Sequence, residues 1–418
     1  MMKINYNTLL VVLSLTPLGT MAQTVNKGQL YVKAGSLLST HYDFENKAKA
    51  DFKNNGTFMV HKHLTNEGSF DYKGITPEGK TILMGKTTQV IVGDSLTKFN
   101  DLVLDNATEK MAFDIQNNMI VAGKADFLNG IGKVDKNKGA VTFLDKAEAA
   151  NPSDKSHLEG AVEKEGKSDF TFPIGDQGMY RPAGTSMVKS NKDIFSAEYI
   201  YKDKPFFDER TKKAGVIQLV DNMEYWIIKK RDNKQENAIV TLSYDKRTTP
   251  AELLLEADKN LRIVRWNEKD KMWVDEGGIV DEANQTVTTP IAVEDVGYFT
   301  LATVKTDWML DGEVVIYNFV SVNGTGHNEF FRIDNLNKYP DNRVEIYNRW
   351  GVKVYETTNY NSNGNVFKGY SEGRVTMNKN EKLPSGTYYF VVTYEYPDKS
   401  TGASRRIKKT GYLHLESN

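Results

Sequence analysis

Hydrophobic and polar residues alternate in short runs along most of this chain, and Asn, Asp or Gly closes each run. Leu102-Val103-Leu104 and Met119-Ile120-Val121 are typical. A period of two with regular turn residues predicts β-strands. Over residues 23–146 the runs carry a loose repeat. Asn54-Asn55-Gly56-Thr57-Phe58 returns as Asn66-Glu67-Gly68-Ser69-Phe70, and Phe99, Phe113 and Phe127 follow at steps of 14. The spacing predicts a β-solenoid, or a meander stacked like one, with coils of about 12 to 16 residues and aromatics returning at one position. One short strand cannot bury its apolar face, so neighbouring coils must cover it.

Residues 147–305 continue in the same style without the repeat. Glu224-Tyr225-Trp226-Ile227-Ile228 and Ala238 to Tyr244 alternate. Arg262 to Trp266 and Lys271 to Val274 flank Asn267-Glu268-Lys269-Asp270 as a hairpin. Strands at this spacing predict a β-sandwich. Pro250 to Lys259 is the one helical stretch, with Thr249 as its cap. In residues 306–418, Arg343 to Tyr347 and Gly351 to Tyr355 flank a tight turn at Asn348-Arg349-Trp350. Tyr388, Phe390, Val392, Tyr394 and Tyr396 fall on one face of one strand. The whole reads as all-β: solenoid-like repeats, a middle sandwich and a compact C-terminal domain.

That last domain carries a resemblance. Tyr339 to Tyr355, and within it Val344, Ile346, Tyr347, Asn348, Arg349, Trp350, Gly351 and Tyr355, resembles the central signature of the gliding motility-associated C-terminal domain of Bacteroidota surface proteins. Leu383-Pro384-Ser385-Gly386-Thr387-Tyr388-Tyr389 and Lys409-Thr410-Gly411-Tyr412-Leu413 resemble that family's last two motifs, in order. The resemblance implies an Ig-like β-sandwich that acts as the sorting signal for type IX secretion. It further implies passage across the outer membrane and retention at the cell surface, with the secretion machinery and surface proteins as partners. Two motifs depart from the family. Val322-Asn323-Gly324-Thr325-Gly326 stands where relatives have Pro-Asn-Gly-Asp-Gly, and Phe367-Lys368-Gly369 where they have Trp-Asp-Gly. The segments Phe170 to Gly175 and Tyr180-Arg181-Pro182 are similar to ones common in such surface proteins.

Composition narrows the function classes. The absence of cysteine excludes disulfides, a thiol nucleophile and Cys-ligated zinc. Lys plus Arg, 54, and Asp plus Glu, 55, leave a net charge of −1, which gives no electrostatic case for nucleic acid. Lys3, the apolar run Leu9 to Leu18 and Thr20-Met21-Ala22 have the layout of a signal peptide over residues 1–22. No later run is long enough to span a bilayer.

Candidate chemistry is sparse. Gly74 to Thr81 spells G-x-x-x-x-G-K-[ST], but β-type residues follow where a phosphate cradle needs a helix. His61 and His63 would share a strand face as metal ligands, yet no third ligand is assignable; His41, His157, His327 and His414 are isolated. No catalytic residue, cofactor or metal is therefore expected, and the chain reads as non-enzymatic. Trp226, Trp266, Trp273, Trp308 and Trp350 are expected in cores, with glycan stacking as the alternative. Arg405, Arg406, Lys408 and Lys409 form a basic hairpin, read as a protected sheet edge or a docking surface for the export machinery.

Overall fold

The computed structural model describes residues 23–417, except 75–77, 109–110, 215–216, 233–235, 294–295, 305–313, 323–328, 340, 362–363, 372–381 and 398–403. The proposed signal peptide, Trp308, His327, Asn323 to Gly326 and the turn after Pro397 lie outside the described residues. The fold is nearly all β, 54% strand and 4% helix.

The solenoid is three-faced, and each coil lays one strand on each face. The first face stacks eight parallel strands, from Gln23–Asn26 to Ile174–Asp176. The second begins at Gln29–Val32 and the third at Leu37–Thr40. In register, Thr24 lies beside Phe44, Leu30 beside Phe52 and Leu38 beside Phe58. One coil therefore takes about 20 residues here, longer than the sequence spacing implied. The reason is that the Asn-x-Gly motif marks a corner rather than a coil. Asn54 and Gly56 turn the chain from the second face to the third, whereas Asn66 and Gly68 turn it from the first to the second. Likewise Phe99, Phe113 and Phe127 occupy three different faces, so their even spacing is not a return to one position.

The corners explain the residue choice. A Cβ on Gly56 would stand 2.4 Å from the Lys33 and Ser36 carbonyl oxygens, and one on Gly68 2.4 Å from Ala50 O. Only glycine lets successive coils approach this closely. Beside these glycines runs a buried asparagine ladder. Asn26 Nδ2 donates to Asn46 Oδ1 at 2.9 Å, Asn46 Nδ2 to Asn66 Oδ1 at 2.9 Å, and Asn66 Nδ2 to Thr97 Oγ1 at 3.0 Å. Inside, Phe44, Phe52, Phe58, Phe70 and Phe99 pack ring on ring at 4.6 to 5.5 Å between neighbours.

Nothing separates solenoid from sandwich at residue 146. Leu158–Glu159 and Ile174–Asp176 extend the first face, and Val162–Glu165 extends the second. Val162–Glu165 then pairs antiparallel with Ile194–Tyr201, and the same sheet runs on through Glu224–Lys230, Gly297–Val304, Leu261–Asn267 and Met272–Gly277. A second sheet, from Phe170–Phe172 through Ala183–Thr185, Val240–Ser243 and Thr286–Thr288 to Ile279–Asp281, faces it. One hydrophobic core runs from Val32 to Leu301. The Leu261–Asn267/Met272–Gly277 hairpin forms as the alternation predicts, with Trp266 opposite Trp273. The expected helix at 250–259 is instead two short turns, Ala251–Leu254 and Ala257–Asn260. Thr249 does not cap them, because its hydroxyl donates to the buried carboxylate of Glu224.

His157 sits at the solenoid–sandwich junction with no exposed surface. Its Nδ1 lies 2.9 Å from Ser153 O, and its Nε2 has no hydrogen-bond partner. Burial holds the imidazole below its usual pKa. The folded protein therefore resists a proton that the unfolded chain accepts near pH ~6.5. Stability from this site is complete above that pH and falls as pH drops, by at most about 1.4 kcal/mol per unit. We expect the loss of melting temperature between pH 7.5 and pH 5 to shrink in His157→Gln; an unchanged loss would remove His157 as its source.

Candidate sorting-signal surface

Residues 314–417 enclose a core of their own. A five-stranded sheet has the order Phe319–Ser321, Ser404–Glu416, Gly386–Pro397, Arg343–Tyr347, Lys353–Thr358. Among the described residues a two-stranded ribbon, Val315–Ile316 with Ile333–Asp334, and loops cover one face. The alternation predicted for Tyr388, Phe390, Val392 and Tyr394 holds: all four are buried, and Tyr396 packs partly against them.

The signature residues divide by what they touch. Val344, Ile346, Tyr355, Leu383 and Tyr388 fill the core. Tyr388 donates its hydroxyl to Pro384 O at 2.9 Å, which ties the strand start to the preceding loop. Gly411 lies under the Phe390 ring, where a Cβ would come within 2.6 Å. Asn348 builds the tight turn: its Oδ1 accepts from the Trp350 and Val352 amides, each at 3.0 Å. Gly351 follows at φ 72°, a left-handed conformation that favours glycine. Gly386 starts the Gly386–Pro397 strand, and Thr387, next in it, is exposed.

The remaining signature residues face outward. Trp350 is 68% exposed, against the expectation of a core position, because the Asn348 turn aims it away from the sheet. The Arg349 guanidinium stacks on its ring at 4.3 Å. Trp226, Trp266 and Trp273 are buried as expected. Tyr347, Tyr389 and Tyr412 are cross-strand neighbours on three adjacent strands, forming a tyrosine row on the face of the sheet opposite its core. Tyr412 is 59% exposed. Burial, and then the Glu345 carboxylate, pushes the Tyr347 hydroxyl above its usual pKa. Beside this row Arg343 and Lys353 each pair with both Glu345 and Glu356.

The basic hairpin is not one open patch. Lys408 and Lys409 point to opposite faces of their strand, as neighbours must. Lys409 Nζ donates to Val314 O at 3.0 Å. Lys408 Nζ bonds Glu276 Oε2 of the sandwich at 3.1 Å, and Glu276 also accepts from Arg265. Thr410 lies against Gly277, and Gly351 against Ile239. The sheet thus rests on the sandwich beside the tyrosine row. Arg406 is exposed, and the Arg405 side chain lies outside the described residues.

Other candidates resolve into structure. Lys80 and Thr81 begin a strand, Lys80–Gly85, so among the described residues the Gly74–Thr81 motif, whose residues 75–77 lie outside them, leads into a strand and not a helix. His61 stacks on His41 at 4.1 Å, and His63 Nδ1 accepts from Val90 N, so the two do not converge on one point. No group of three or more potential metal-ligating side chains occurs among the described residues. Sequence reading missed Asn342 and Tyr360. Buried Asn342 donates to Leu336 O and Tyr339 O and accepts from Tyr360 N, while the Tyr360 hydroxyl donates to Phe331 O. Asn342 lies within the signature stretch Tyr339 to Tyr355 without standing out in it, and the signal for Tyr360 is only a Tyr after a strand.

Comparison with known families agrees with this geometry. Residues 314–415 match the model of the CHU_C type IX secretion signal domain, about a quarter of the chain. No curated protein and no solved structure matches the chain.

Proposed function

We infer that the type IX secretion signal domain makes this chain an exported cargo, handled by the type IX machinery and bound for the cell surface or outer membrane. No helix among the described residues is long and apolar enough to cross a membrane. We propose that it is a non-enzymatic surface protein in which the solenoid and sandwich form one rigid platform. It works through protein–protein contacts as an accessory or structural component of a surface or gliding-motility apparatus. The observation that supports this reading most is the continuous sheet joining the two blocks, a scaffold whose recognised addition is an export signal.

Within the signal domain, the exposed Arg349–Trp350 stack and Tyr412 are the recognition elements, since they are the large exposed side chains of the signature and most of its other residues are spent on the core and the turn. Surface labelling of intact cells tests both parts. Deleting residues 307–418 should leave the remainder in the periplasm. Combined Arg349→Ala, Trp350→Ala and Tyr412→Ala should cut display at least tenfold while leaving the melting temperature within a few degrees. Normal display of the deletion would refute the sorting role, and normal display of the triple variant would refute this face.

A further inference from the structure

Among the described residues, the first coil of the solenoid is an open end. Its three strands, Gln23–Asn26, Gln29–Val32 and Leu37–Thr40, are each the last in their sheet. Their twelve residues, QTVN, QLYV and LLST, include no charge and no proline. Natural sheet edges carry Lys, Pro or a bulge to prevent pairing with another chain, and terminal coils of repeat folds carry polar caps. Neither device is present among the described residues. Val25, Tyr31, Leu37 and Tyr42 are exposed, Leu37 at 63%. The core is open as well: Leu30 and Leu38 are only partly buried, whereas Phe52 and Phe58, in register one coil deeper, are 0% exposed.

We propose that this end is a self-association surface, where two copies stack head to head. The occupant follows from shape and charge. Three edges on three faces can be satisfied together only by another three-faced coil, whereas a single strand from a different partner would cover one. Two copies of an uncharged edge meet with no like-charge penalty along the strands. A two-fold axis across the end pairs one edge strand antiparallel with its own mate and exchanges the other two, an isologous contact. Lys27 and Lys33 lie exposed at the corners outside the strands. Their mutual repulsion is screened by salt, so association strengthens as ionic strength rises. Residues 1–22, which lead directly into Gln23, are the rival occupant if they remain on the chain.

The sequence offers a clean test because it has no cysteine. Val25→Cys, Tyr31→Cys and Leu37→Cys are made singly in the exported protein recovered from cells, with Leu128→Cys, exposed on a coil far from this end, as control. At least one edge variant should oxidise to a covalent dimer and the control should not. Sedimentation should show a dimer that tightens with salt, and Tyr31→Lys with Leu37→Lys should raise its dissociation constant at least tenfold without moving the melting temperature by more than a few degrees. A monomer at all concentrations, equal crosslinking of the control, crosslinking to a different protein, or a dimer indifferent to the two lysines would each overturn the proposal. So would an exported chain that still carries residues 1–22 across this end.

Discussion

Glu224→Ala is expected to cost about 3–5 kcal/mol, the range for removing one partner of a buried ion pair. Glu224 has no exposed surface, and Arg181 keeps 1%. Arg181 Nη2 donates to Glu224 Oε1 at 2.8 Å and Nε to Oε2 at 3.1 Å, a bidentate fork. The Tyr199 hydroxyl donates to Oε2 at 2.6 Å, and Arg181 also reaches Ser243 Oγ and O. Trp226 Nε1 donates to Arg181 O at 3.2 Å. One guanidinium therefore ties together strands of both sheets of the sandwich. Burial alone would lower its pKa, but the Glu224 carboxylate keeps it raised. Asp221 lies alongside, its pKa raised well above normal by burial and then by Glu224.

Removing Glu224 strands a buried cation, and removing Arg181 leaves two buried carboxyls with no cation. Arg181→Met with Glu224→Leu should cost far less than the sum of the single changes, because no buried charge is left alone. Urea unfolding of the three variants decides the matter. Single changes costing under about 1 kcal/mol would mean that the pair is not the pin described here.

This cluster shows where the sequence was legible and where it was not. Alternation alone located the Arg343–Tyr347, Lys353–Thr358 and Gly386–Pro397 strands of the signal domain and the Trp266/Trp273 hairpin, because one face of each is buried and its period is two, but not the short strands Val315–Ile316, Phe319–Ser321 and Ile333–Asp334. Tyr180-Arg181-Pro182 stood out only as a likeness to other surface proteins. Its partner Glu224 is 43 residues away, and no local rule pairs them. The solenoid was legible as a fold class but not in its dimensions. Corners of one kind recur on different pairs of faces, so Asn-x-Gly counts corners and understates the coil. Exposure at a tight turn was also illegible: Trp350 reads as apolar, but the side-chain amide of Asn348 fixes the backbone that aims it outward.

The corner motif carries the second large effect. Asn66→Ala is expected to cost about 2–4 kcal/mol, since each buried group it orphans costs about 1–3 kcal/mol and some find water. Asn66 is fully buried. Its Nδ2 donates to Thr97 Oγ1, Ser95 O and Leu96 O, and its Oδ1 accepts from Asn46 Nδ2 and the Gly68 amide. It thus serves the coil before it, its own corner and the coil after it. Asn26 serves only two of these, because among the described residues no coil precedes it. The ladder therefore ranks its rungs: Asn66→Ala should destabilise at least twice as much as Asn26→Ala in urea unfolding. Asn66→Asp, which keeps the acceptor but replaces the donor with a buried charge, should be no milder than Asn66→Ala. Equal costs for the inner and outer rungs would show that each asparagine acts only on its own corner, and that stacking of the amides adds nothing to the cohesion between coils.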